Sequence, residues 1–133
     1  MKLIVHVDGG SRGNPGPAAA GAVLATPEGA VVAEATRTIG RASNNVAEYQ
    51  GLLLGLERAR ELGATAVEVI NDSELIAKQV NGVYKVKHAD MKPLHSRARA
   101  ALAEFDEWSI RSVPRAENAH ADALVNAALD GTR

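Results

Sequence analysis

The 133-residue chain predicts an α/β fold, a mixed five-stranded sheet with helices on its faces, in the order βββαβααβα. Period-two apolar alternation marks three closely spaced segments at the start, and strand-like and helix-like patterns alternate after them. No internal repeat or low-complexity linker divides the sequence, so residues 1–133 read as one domain, long enough to bury a core without disulfides or a structural metal.

The elements follow in order. KLIVHVD, residues 2–8, alternates apolar and polar positions and predicts a first strand that ends on Asp8. AGAVLAT (20–26) and AVVAEATRTIG (30–40) predict two more, joined by Pro27-Glu28-Gly29, a turn of hairpin length, so the three form an antiparallel meander. From Asn45 to about Leu62 the spacing becomes helical: Val46, Tyr49, Leu52, Leu53, Leu56 and Ala59 make one apolar stripe, and Gly63 suits a C-cap. AVEVIND (66–72) returns to strand, and SELIAKQVNG (73–82) predicts a short helix closed at Asn81-Gly82, with a right-handed crossover. PLHSRARAALAEF (93–105) is helical from a proline in its first turn, EWSIRSV (107–113) is a fifth strand, and NAHADALVNAAL (118–129) is a last helix.

Composition narrows the function. The chain has no cysteine, which excludes a disulfide framework and thiolate-held metals and agrees with a reducing compartment, so the cytoplasm is expected. No stretch approaches the roughly 18 apolar residues of a membrane helix, and MKLIVHVDGG breaks off too soon for a signal peptide. The formal net charge of −1 gives no global nucleic-acid footprint. Locally, Lys85, Lys87, Lys92, Arg97 and Arg99 stand against Asp90 alone, a run that fits a solvated helix face or a basic contact.

Four acids occupy ends of elements. Asp8 and Asp72 each close an apolar strand; if those strands are parallel neighbours, both reach the sheet edge where α/β folds bind ligands. Glu48 falls in the first turn of the long helix and Asp122 in the first turn of the last one. Structural roles are open to three of them: Asn45-Val-Ala-Glu48 fits a capping box, Asp72 can cap the helix from Ser73, and Asp122 can complement a helix dipole. Asp8 resists such a reading, because an acid at the end of a core strand needs a partner or a cation to offset its desolvation. Gathered together, the four would repel one another, and a hard divalent cation resolves the conflict. Mg²⁺ takes a few carboxylates together with waters and phosphate oxygens, and two such ions serve phosphodiester hydrolysis.

The chain resembles type 1 ribonuclease H over essentially its full length. The resemblance rests on DGGSRGNPGP after the first strand, SNNVAEYQGLL opening the long helix, NDSELI after the fourth strand, and ENAHADALVNAA near the end. It implies a ribonuclease H-like fold and endonucleolytic hydrolysis of the RNA strand of RNA·DNA hybrids, leaving 3′-hydroxyl and 5′-phosphate ends. Mg²⁺ or Mn²⁺, two ions with substrate bound, would be held by Asp8, Glu48, Asp72 and Asp122. Contacts to the hybrid carry over to Gly9, Asn14, Asn44 and Asn45, where bare backbone and short amides suit a shallow minor groove carrying 2′-hydroxyls. For the asparagines, turn and cap chemistry is compatible with the same role. The implied partner is the hybrid, with no membrane and no obligate protein partner.

Two departures from the family qualify the expectation. The histidine that many members carry before the final helix is missing: SVPRAEN offers Arg115, and His120 lies two residues before Asp122. A guanidinium steadies a phosphate but is no base at neutral pH. NGVYKVKHADMKP is too short for the family's basic handle, which leaves Tyr84, Lys85 and Lys87 to grip a phosphate backbone and predicts weak, salt-sensitive binding. The rival readings are another metal-dependent nuclease on the same fold and a non-catalytic hybrid-binding module. Nucleotide binding by a glycine-rich loop is poorly supported, since neither G-x-G-x-x-G nor a G-K-[ST] ending occurs.

Overall fold

Alternation along the first strand builds the floor of the molecule. In the computed structural model, which describes residues 1–131, β1 (Lys2–Ser11) turns Leu3, Val5 and Val7 into the core at 2% exposure or less, with Ile4 and His6 on its other side. β2 (Gly16–Ala25) and β3 (Val31–Ala42) complete the expected antiparallel meander. Helix α1 (Asn44–Glu61) leads to β4 (Ala66–Asn71), α2 (Glu74–Val80), α3 (Lys92–Leu102) and β5 (Glu107–Ser112). A 3-10 turn, Arg115–Asn118, then opens α4 (Ala119–Leu129). The sheet order is β3-β2-β1-β4-β5, with β1–β4 and β4–β5 parallel, so the predicted mixed sheet and its order of elements are observed.

Two helices cover opposite faces of the sheet. Within β2, a Cβ at Gly21 would meet Ala121 and Leu124 of α4, whereas Ala22 lies under Gly55 of α1. Neighbouring strand residues point to opposite sides, so α1 and α4 sandwich the centre of the sheet. α2 and α3 pack beside α1 around a buried polar junction. Tyr49 donates to Gln79 Oε1 at 2.7 Å, and His95 Nε2 donates to the Gln79 carbonyl at 3.1 Å. Among the described residues no helix is long and apolar enough to cross a membrane.

The first strand does not end on Asp8. It continues through Gly9, Gly10 and Ser11, each paired with β2, because the antiparallel partner persists after the parallel partner β4 stops at His6↔Ile70. Asp8 therefore stands where one side of the ladder opens while the other holds it rigid.

α1 lies on β1 with backbone against backbone. A Cβ at Gly9 would collide with the carbonyl oxygen of Ala47, one at Gly51 with the carbonyl of Asp8, and one at Gly55 would come 2.7 Å from the Cγ1 atoms of both Val5 and Val7. In a helix interior alanine is favoured over glycine by about 1 kcal/mol, so the two bare positions of α1 on this seam, Gly51 and Gly55, reflect packing. Gly51→Ala is expected to destabilise the fold by about 1–3 kcal/mol in urea unfolding, overpacking outweighing propensity; a midpoint at or above that of the parent protein would contradict this close approach.

Candidate active site

Each of the four acids is delivered by a different element, and in two cases a serine releases it from helix capping. α1 is capped by Ser43, whose Oγ accepts from Val46 N at 3.2 Å, so the expected Asn45–Glu48 capping box does not form and Glu48 is the fifth residue of the helix. α2 is capped by Ser73, whose Oγ accepts from Ile76 N at 3.2 Å, which corrects the reading of Asp72 as a cap. Asn71 shapes the turn carrying Asp72: its Oδ1 accepts from Ser73 N at 2.7 Å and its Nδ2 donates to Arg111 O at 3.1 Å. Asp122 sits in the first turn of α4, as expected.

The four carboxylates line one cleft of about 480 Å³, together with Gly9, Asn44 and Arg115. Burial raises the Asp8 carboxyl to about 8, and the charge of Asp72 adds to the shift, with Glu48 and Asp122 contributing less. Burial raises Glu48 to about 7, again with help from Asp72, while a hydrogen bond from Ser73 pulls the other way. Burial thus leaves two carboxyls holding protons near neutrality. Arg115 donates to Asp122 Oδ1 at 3.1 Å, and Asn126 donates to Oδ2 at 3.3 Å.

Among the described residues no three acids or histidines close round one point as a preformed metal cage would. An all-oxygen donor set spread round an open cleft fits Mg²⁺ or Mn²⁺, which complete their shells with water and substrate phosphate. Such an ion would add positive charge to a cleft whose four acids outnumber its two arginines.

The asparagines assigned to hybrid contact divide between two clefts. Asn44 faces the acids, whereas Asn14 and Asn45 line an adjoining cleft of about 720 Å³ with Arg41, Ser43 and His88. Asn14 Oδ1 accepts from Asn44 N at 3.1 Å, and Asn44 Oδ1 accepts from Ser11 N at 2.9 Å, so the two amides also lace the Gly-rich loop to the start of α1. Gly9 is bare chiefly for the sake of Ala47. The Gly9 backbone also lines the acid cleft, so close packing and an open backbone edge fall on the same residue. Lys85 and Lys87 are exposed on the segment between α2 and α3, where no further helix intervenes; Lys85 lines a separate cleft with Lys92 and Arg99. His120 turns away from the acids and its Nε2 pairs with Glu34 Oε2 at 2.5 Å, which leaves Arg115 as the group that stands where the assisting histidine was sought.

Sequence reasoning passed over Asn118, whose side chain is buried and donates to Val7 O at 2.8 Å, and His6, whose Nδ1 lies 3.1 Å from Asn118 Oδ1. The only sequence signal was a histidine at a strand position two residues before an acid.

Residues 6–128 match a family model described as reverse transcriptase-like. A ribonuclease HI of Halobacterium salinarum is 50% identical over 129 residues, 97% of this chain and 65% of that relative. A bifunctional protein of Mycobacterium tuberculosis is 50% identical over 131 residues, 98% of this chain but 36% of its own length, so the chain spans about a third of that relative. The crystal structure of the Halobacterium salinarum RNase H1 superposes with a TM-score of 0.97 at 48% identity, covering 99% of this chain and 100% of that one. LC11-RNase H1 in complex with RNA/DNA hybrid superposes with a TM-score of 0.92 at 40% identity, covering 97% of each chain.

The raised carboxyls set a pH dependence. In the unfolded chain Asp8 and Glu48 titrate near 3.8 and 4.5, and in the folded protein near about 8 and about 7, so folding takes up protons between these limits. Stability of the metal-free protein therefore falls as pH rises from about 4 to about 8, because there the folded state binds more protons than the unfolded one. Asp8→Asn is expected to flatten this slope and to raise the unfolding midpoint by about 3–8 °C at pH 8 in chelator. Thermal unfolding followed by circular dichroism from pH 5 to pH 8 checks it, and a wild-type midpoint that climbs over this range would refute the burial argument.

Proposed function

The chain belongs to the type 1 ribonuclease H family, and on that premise we propose that it is an endoribonuclease hydrolysing the RNA strand of RNA·DNA hybrids, leaving 3′-hydroxyl and 5′-phosphate ends. The observation that carries this reading is the single cleft lined by Asp8, Glu48, Asp72 and Asp122, beside loops suited to a minor groove. Asp8, Glu48, Asp72 and Asp122 would hold Mg²⁺ or Mn²⁺, two ions with substrate bound, supplying an activated water and stabilisation of the leaving oxygen.

The remaining work falls to this chain's own groups. Asp8 and Glu48 give up protons as the cleft gains positive charge, so metal loading is proton-linked. Arg115, 74% exposed at its side chain and tied to Asp122 by one bond, is free to swing onto a phosphate oxygen. Gly9, Asn14, Asn44 and Asn45 position the hybrid, and Lys85 and Lys87, with Tyr84, hold phosphates of its backbone. In this reading residues 1–133 form one ribonuclease H domain working in the cytoplasm, and neither a membrane nor an obligate protein partner is required.

Labelled RNA·DNA hybrid, double-stranded RNA and double-stranded DNA, offered with Mg²⁺, Mn²⁺ or chelator, test the proposal. Cleavage of the hybrid alone is expected, abolished by chelator and by Asp72→Asn. Metal-independent cutting would remove the central claim, and hybrid binding without cutting would favour the binding-module reading. Lys85→Ala and Lys87→Ala are expected to raise KM with little change in kcat, each lowering the slope of log affinity against log salt by about 1. Unchanged slopes in fluorescence-anisotropy titrations would take both lysines out of the interface.

A further inference from the structure

Helix α4, which carries Asp122, begins without the cap that the residue just ahead of it is suited to give. Asn118 occupies the N-cap position, where an asparagine ordinarily accepts from a backbone N–H two or three residues on. It makes no such bond. Its amide instead reaches back 111 residues to β1, donating from Nδ2 to the Val7 carbonyl at 2.8 Å. Asn118 Oδ1 meets His6 Nδ1 at 3.1 Å, and because an amide oxygen only accepts, the hydrogen is on His6. The side chain is sealed from water, Asn118 being 1% exposed, and both of its ends are matched.

The tether's position gives it a purpose beyond holding a helix. Val7 precedes Asp8, and Asp122 follows Asn118 by one helical turn, about 6 Å along the axis. The parallel ladder between β1 and β4 ends at His6, so the Val7 carbonyl lies beyond it and is taken by Asn118. A second contact has the same placement: Gly21 pairs with Asp8 across β2, and its bare Cα admits Ala121, the neighbour of Asp122. Glu48 and Asp72 arrive through α1 and β4, which the tether does not touch.

We infer that Asn118, oriented by His6, is a positioning residue that sets where Asp122 stands relative to Asp8 across the acid cleft. The inference rests on the proposed reading of that cleft as a divalent-metal nuclease site. Neither residue touches substrate or metal; both act through the two acids. The groups that position the hybrid, Asn14, Asn44 and Asn45, belong to other segments and stay in place when the tether is cut.

Mn²⁺ binding to the substrate-free protein, followed by isothermal titration calorimetry, and hybrid cleavage kinetics test the inference. Asn118→Ala is expected to weaken Mn²⁺ binding and lower kcat by about tenfold each, while KM for the hybrid stays within about twofold. His6→Ala moves both in the same direction by less, and His6→Gln restores them, because its amide N–H can donate to Asn118 Oδ1. In an Asp122→Asn background Asn118→Ala changes Mn²⁺ affinity no further, since the acid it positions is gone. Mn²⁺ affinity equal to wild type in Asn118→Ala, or an undiminished effect in the Asp122→Asn background, would overturn the tether. Should Asn118→Ala not fold, the His6→Ala and His6→Gln pair decides, since the bond to Val7 survives in both. A wild type that binds Mn²⁺ but leaves the hybrid intact would overturn the nuclease reading, and the Mn²⁺ cycle would still decide the tether.

Discussion

The contact of α1 with β1 along Gly9, Gly51 and Gly55 is the constraint on which the site depends. With no side chain on that seam, the helix drops onto the strand until backbone meets backbone, at the level where Asp8 leaves the parallel ladder. Glu48 is carried on the same helix, one turn before Gly51 and next to Ala47, whose carbonyl bears on Gly9. Two carboxyls are thereby placed at the edge of a sheet that cannot relax away from them, since Asp8 is still gripped by β2 through its pairing with Gly21. Looser packing would let water in and return both groups to ordinary acidity.

Local rules of helix formation would put those acids to other uses, and the fold prevents it by supplying other groups for the same tasks. Ser43 and Ser73 start their helices, which frees Glu48 and Asp72 from capping. Asn118 goes the other way: an asparagine in a capping position is diverted to a carbonyl on β1, and α4 starts from a 3-10 turn without a side-chain cap. Departures of this kind, where local preference yields to long-range geometry, collect at functional sites.

How much of this could be read in the sequence follows from the range of the interactions. The order of elements, the meander and the α1 stripe depend on periodicity and short turns, and they were legible. The four acids were legible because each sits next to a change of pattern. Helix starts slipped by one residue or more because a serine stands just ahead of Asn44, and again ahead of Glu74, and capping energies do not rank such neighbours in a bare sequence. The true end of β1 was hidden because it depends on β2, a partner that outlasts β4 by several residues. Asn118 and His6 stayed out of view for the same reason, since their bond spans 112 residues. The glycines after Asp8 looked like loop residues open to a ligand, and only the packed helix distinguishes Gly9, pressed on Ala47, from Gly10, whose Cβ would meet Val125 at an ordinary 3.7 Å.

Charge in the cleft follows from the same geometry. Arg12 and Arg115 both line it, but Arg12 is drawn off by Asp130 at 2.6 Å, so Arg115 is left to face four carboxylates. It bonds to Asp122, while burial leaves Asp8 and Glu48 holding protons. At neutral pH the cleft's own residues therefore carry less charge than four acids suggest. On the proposed reading, entering cations would meet no fixed shell of lysines or arginines and would displace protons and one exposed guanidinium. On the same reading the freed guanidinium of Arg115, exposed to solvent, would find in an arriving phosphate a two-pronged partner in place of its single bond to Asp122. Burial by glycine packing thus spares Arg115 from neutralising Asp8 and Glu48, and on the proposed reading leaves it free for the nucleic acid.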